Sequence, residues 1–224
     1  MILENKDAIR IRRLSLDAII IEVGLSTEPN MEMQKLVWGL DHIIHEWTGV
    51  RETVPGVNNL LIRFNDPQRI DQNISLIEKL TTSKSHLAAP QGKLHRFQVS
   101  YGGVGGPDLT ETAAYCGLTV DEFVYKHASI RYMVFCIGAH PGFGYLGGLP
   151  KAIWASRLEK PRPHVEAGSV AIGGSQTGII GSSLASGWRL IGTTEAELFS
   201  IDKEPPALLE AGDWVEFEIK EVLG

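Results

Sequence analysis

The sequence predicts an α+β chain in two parts. An N-terminal ferredoxin-like α/β domain covers residues 1–92, and a β-rich domain covers 93–224, with a helical insertion near 108–128. Two observations predict this. The first hundred residues alternate strand-like runs with amphipathic helical faces in the order β-α-β-β-α-β, the split-βαβ arrangement. From residue 130 onward, short strands recur at close spacing with Gly and Pro between them, the pattern of a barrel or sandwich.

Each element has its own warrant. Ala18–Val23 is a β-branched apolar run and reads as a buried strand. Ser26-Thr27-Glu28-Pro29 reads as a helix start with proline in the first turn. Met33, Leu36, Leu40, Ile43 and Trp47 then recur at spacings of three and four, one apolar helical face. Val50–Val54 and Leu60–Phe64 are strands around the turn at 55–59. Asp66-Pro67 opens a second helix with Ile70, Ile74, Ile77 and Leu80 on one face. A polar connection over 81–85 and 88–92 leads to a strand at Arg96–Tyr101.

The second part opens with the glycine-rich segment Tyr101–Leu109. Its glycines are those of either a phosphate cradle or a strand-to-helix turn in which Asp108 caps the helix at 109–114. Thr119 and Glu122 fit a capping box. Strands follow at Arg131–Ile137, Gly168–Gly174, Gln176–Ile180, Gly187–Gly192 and Asp213–Ile219, with a rim turn at 205–213. Between the first two lies Gly138–Pro150, where glycine and proline alternate with His140, Phe143 and Tyr145. It reads as a rigid, aromatic-lined binding loop outside regular structure.

Composition excludes several classes. The net charge is −6 with no cluster of Lys and Arg, unlike a phosphate-binding face. Apolar runs are too short for a membrane helix, and the N-terminus lacks a signal-peptide core, so a cytoplasmic location is expected. Cys116 and Cys136 form no metal-spaced pair and read as buried thiols rather than nucleophiles. His42 and His45 read as surface residues rather than half a metal site, and no metal site is evident.

Candidate site residues concentrate in the second part. His140 has the chemistry of a general acid or base, or of a hydrogen-bonded loop residue. Gln176 both donates and accepts, which suits a lactam, urea or amide, or it braces neighbouring backbone. Arg162, between two prolines, offers a fork for carboxylate or phosphate, or a surface ion pair. Trp188 is a core residue or a ligand platform.

The run from Gly138 to Pro150 resembles the PGF-x-YLG signature of the allophanate hydrolase subunit 1 family, also known as the 5-oxoprolinase B-subunit or KipI-like family. The resemblance continues through Pro161-Arg162-Pro163, 167–174, Gln176-Thr177-Gly178, 187–194, Leu198-Phe199 and 206–209, and upstream through 101–109. Ala139 and Ile180 stand where the family usually has aromatics. The resemblance implies a cyclophilin-like β-barrel for the second domain. It also implies two partners, a subunit-2 protein (the 5-oxoprolinase C-subunit type) and a TIM-barrel-like A subunit. With them the chain would form an ATP-dependent 5-oxoprolinase, a hydrolase that opens 5-oxoproline to glutamate and works only as a complex, with ATP shared with a partner. His140 and Gln176 would be catalytic, with Pro141, Gly142, Phe143, Tyr145, Arg162 and Trp188 binding substrate. Other branches imply a KipI-like inhibitor of a sensor histidine kinase, or a component of a urea- or allophanate-processing carboxylase-hydrolase.

Overall fold

The computed structural model describes residues 9–24, 28–82 and 92–224. The chain divides into two compact units, Met1–Pro90 and Gln91–Gly224.

The first unit holds strands β1 (Ile9–Arg13) and β2 (Ala18–Val23), helix α1 (Met31–Ile44), strands β3 (Val50–Gly56) and β4 (Asn59–Phe64), and helix α2 (Ile70–Thr82). The strands form an antiparallel sheet in the order β1-β2-β4-β3. Its apolar face, with Ile19, Ile21, Leu60 and Ile62, packs with Val37, Leu40 and Ile44 of α1 and with Ile70 and Ile77 of α2. Helix α1 starts later than the expected 26–29, with Pro29 before it and Asn30 as its cap: the Asn30 side-chain oxygen accepts from the backbone N–H groups of Glu32 and Met33. Ser26 and Thr27 lie outside the described residues, as does the polar connection over 83–91.

The split-βαβ expectation needs correction here. It took its last strand from Arg96–Tyr101, but that stretch belongs to the second unit. The position beside β2 is filled instead by β1, which precedes it in sequence. The reason is alternation. Ile9 and Ile11 alternate with Arg10 and Arg12, so one side of β1 packs on the core while the other carries charge to solvent.

The second unit runs β5 (Leu94–Gly102), α3 (Leu109–Tyr115), α4 (Val120–Ala128), β6 (Arg131–Ile137), β7 (Gly144–Gly147), β8 (Arg162–Val165), β9 (Ser169–Gly173), β10 (Gln176–Ile179), β11 (Leu184–Ser186), β12 (Arg189–Thr193) and β13 (Trp214–Leu223). Seven strands close into a barrel in the order β10-β7-β6-β13-β5-β12-β9, and β8 and β11 pair as a separate ribbon. Strand β7 corrects the loop reading of Gly138–Pro150: only 138–143 is a turn, and Gly144–Gly147 is a ladder strand between β6 and β10. The barrel is filled by Val99, Tyr101, Val134, Leu146, Val170, Ile172, Ile179 and Ile191, with Phe123 and Val124 of α4. The Thr119–Glu122 capping box opens α4 as the sequence predicts.

Among the described residues no helix is long and apolar enough to cross a membrane.

Candidate functional site

Residues on each barrel strand alternate between the interior and the outer wall. On β10, Thr177 points inward, and its hydroxyl lies 2.9 Å from His127 Nε2 and donates to the carbonyl of Ala171 at 3.0 Å. Its neighbours Gln176 and Gly178 therefore face outward.

The interior network is fully paired. Because the Thr177 hydroxyl donates to Ala171, it accepts from His127 Nε2–H. His127 Nδ1 then accepts from the Tyr101 hydroxyl at 2.8 Å. His127 is completely buried and stacks on Phe217 at 4.7 Å. Burial pushes its pKa down to about 3, so the imidazole is neutral. This histidine ties α4 to the barrel. No local pattern marks it in the sequence, because its partners are 26 and 50 residues away in the chain.

The outer wall is built differently. Phe143, Tyr145 and Trp188 meet edge to face, with ring centroids 4.7, 5.3 and 5.9 Å apart. Trp188 lies over Gly173, where a Cβ would sit 2.5 Å from its ring. Gly173 pairs with Gln176 across the β9–β10 ladder, and Gly178 pairs with Tyr145 across the β10–β7 ladder. Gln176 thus stands across the ladder from the glycine that Trp188 covers, two residues along β10 from the partner of Tyr145. Gln176 Nε2 is buried and has no hydrogen-bond partner. A buried unpaired amide donor costs about 1–3 kcal/mol and calls for an explanation. Tyr145 is half-buried, and burial raises its pKa, an effect that nearby Cys136 reinforces and Arg157 opposes. The Arg157 guanidinium lies 5.5 Å above the Trp188 ring.

The other predicted residues are spread more widely. His140 and Pro141 are exposed on the turn between β6 and β7, which closes through the Gly138–Phe143 and Phe143–His140 backbone bonds. Gly142, with φ of 72°, packs against Leu198 and Phe199. The turn joins the ladder where Gly144 pairs with Ile179, three residues along β10 from Gln176. At about 3.3 Å per residue, roughly 10 Å separates Gln176 from that pair. Phe143, Tyr145 and Trp188 are brought together, Gln176 lies on the neighbouring strand position opposite Gly173, and His140 is not brought to Gln176.

Arg162 forms a two-pronged ion pair with Asp108, at 2.7 and 2.9 Å. Asp108 also accepts from the Leu190 backbone N–H at 2.7 Å. Its side chain makes no capping bond to α3, so the expected cap is replaced by a clamp that joins β8, β12 and the start of α3. The glycine-rich segment is not a phosphate cradle either. A Cβ at Gly102 would fall 2.2 Å from the Leu223 carbonyl oxygen, and one at Gly106 would fall 2.5 Å from the backbone of Ile191. The chain itself fills the space these glycines leave.

Burial raises the pKa of both thiols, that of Cys136 to about 12. Neither is a ready nucleophile, although Cys116 is only half-buried. His42 and His45 are exposed on α1 and just after it. No group of His, Cys, Asp or Glu side chains among the described residues is placed to hold a metal ion.

Comparison with known proteins gives the chain a family. A family model described as the carboxyltransferase domain, subdomains C and D, matches residues 9–209. A protein named as the 5-oxoprolinase B subunit, from Escherichia coli O157:H7, is 39% identical over 199 residues, 87% of this chain and 90% of the relative. The chain belongs to the carboxyltransferase C and D family. The chain is similar to the solved structure of TTHA0988, with a TM-score of 0.74 and 27% identity. That match covers 96% of this chain but 41% of TTHA0988, so the chain spans about two fifths of that protein's length. The urea carboxylase of Kluyveromyces lactis shares the family fold, with a TM-score of 0.74 and 19% identity over 96% of this chain and 22% of that one.

Proposed function

We propose that the chain is the B subunit of an ATP-dependent 5-oxoprolinase. It acts with a subunit-2 partner of the C-subunit type and a TIM-barrel-like A subunit to convert 5-oxoproline to glutamate. The E. coli relative named as the 5-oxoprolinase B subunit supports the reading. The observation that carries it is Gln176, a buried amide with an unpaired donor on an aromatic wall.

An unactivated lactam resists hydrolysis because its nitrogen is a poor leaving group and its carbonyl a poor electrophile. ATP, shared with a partner, would transfer its γ-phosphoryl group to the lactam oxygen with ADP leaving, which would make the ring carbon electrophilic. The chain's own residues hold the ring. Gln176 Nε2–H donates to the lactam carbonyl, which satisfies the amide only when ligand is present. Tyr145, the half-buried member of the aromatic cluster, gives the apolar face against the ring, backed by the buried Phe143 and Trp188, and the 138–143 turn, with Pro141 and Gly142, forms the rim. His140 stands exposed on that rim and carries a proton where the partner closes the site.

The carboxyltransferase family description favours a second reading, a component of a urea- or allophanate-processing carboxylase-hydrolase. The two are separated by assaying glutamate release from 5-oxoproline and ATP, with this chain and both partners mixed and each omitted in turn. Release that needs all three supports the B-subunit role. An assembled complex that ignores 5-oxoproline, or that turns over urea with dependence on biotin and bicarbonate, contradicts it.

A further inference from the structure

We propose that Arg157 is the residue of this chain that holds the carboxylate of the ligand bound on the outer wall. The assignment rests on the 5-oxoprolinase reading and extends it to a residue whose sequence position, between Ser156 and Leu158, carries no motif.

Charge pairing singles Arg157 out. In the second unit, Arg96, Arg131, Arg162 and Arg189 each meet a carboxylate. Arg157 meets none among the described residues. Its guanidinium lies over Trp188, 5.5 Å from the ring centroid, and its charge is felt by the Tyr145 hydroxyl. A guanidinium resting on an indole keeps its N–H fork free for a planar anion.

Gln176 offers a donor too: its Nε2 is unpaired. An amide donor and a guanidinium beside one aromatic cluster call for a ligand that brings acceptors. A small ring with one carbonyl and one carboxylate brings an acceptor for each donor: the carbonyl for Gln176 and the carboxylate for Arg157. Arg162, the arginine that the sequence singles out for this task, is engaged by Asp108 in two hydrogen bonds.

The test is Arg157→Met in the reconstituted complex, with initial rates followed against 5-oxoproline concentration. Methionine keeps an apolar stem on Trp188 and removes the charge. The KM for 5-oxoproline is expected to rise about tenfold or more, the scale of one charge-assisted hydrogen bond, while kcat stays within about twofold. Arg157→Lys, which keeps the charge without the fork, is expected to fall between the two. An unchanged KM in Arg157→Met, or a loss confined to kcat, overturns the assignment. A wild-type complex that releases no glutamate instead overturns the 5-oxoprolinase reading itself, so the two failures are distinguishable.

Discussion

Trp188 rests on Gly173 so closely that a single Cβ there would sit 2.5 Å from its ring. This close approach holds the indole against the barrel beside Gln176, which pairs with Gly173. Gly173→Ala must therefore push Trp188 off the wall. We expect a stability loss of about 1–3 kcal/mol, the scale of overpacking, together with weaker substrate binding. Thermal unfolding and the KM for 5-oxoproline check both, and an unchanged KM would detach Trp188 from the site.

The Asp108–Arg162 clamp is structural. The Asp108 side chain is 6% exposed, and it would lose its charged partner in Arg162→Met. Breaking a buried ion pair from one side costs about 3–5 kcal/mol. The Leu190 N–H still satisfies part of the carboxylate, so the expected loss lies at the lower end, about 3 kcal/mol. Urea unfolding measures it, and a loss below about 1 kcal/mol, the scale of an exposed pair, would show that the clamp holds nothing.

Much of this was legible in the sequence because local chemistry dictates it. Ala18–Val23 and Arg131–Ile137 are strands with the bounds read from their apolar runs. The Thr119–Glu122 box and the Ile70–Leu80 face needed only spacing. The failures were long-range. Strand β5 has the same alternation in either domain, and its pairing with β12 and with β13, at the far end of the chain, decides its place. Asp108 reads as a cap until Arg162 arrives from 54 residues away. At the site, aromatic character marked Phe143, Tyr145 and Trp188, and polarity among glycines marked Gln176. Arg157 went unmarked because its isolation from carboxylates is visible only in three dimensions.

His127 makes the barrel sensitive to acid. Its pKa falls from an ordinary 6.5 to about 3 in the folded chain. Between those values the unfolded chain binds a proton that the folded one does not. Stability is therefore full above about pH 6.5 and falls as pH drops, by about 1.4 kcal/mol per pH unit. Tyr101, Thr177, Tyr132 and Phe217 surround the ring and offer no anion to hold the charged form. Urea unfolding at pH 7 and pH 5 should show the loss in wild type and a smaller one in His127→Gln. Equal losses would contradict the assignment.

Ala139 occupies the left-handed region, with φ of 60°, immediately before His140. A side chain there costs about 1–2 kcal/mol. Ala139→Gly is expected to raise the melting temperature, offset in part by the extra freedom of glycine in the unfolded chain. A fall in melting temperature would show that the methyl group packs favourably.

The unpaired amide of Gln176 makes the central claim testable from two sides at once. In Gln176→Leu, a buried donor without a partner is replaced by an apolar group of similar size. The decisive measurement is glutamate release by the reconstituted complex carrying this variant, alongside its thermal unfolding. A ligand-binding amide predicts at least about a tenfold loss of kcat/KM with an equal or higher melting temperature. Retained activity, or lost activity together with a lower melting temperature, would show that Gln176 supports the barrel wall rather than the substrate.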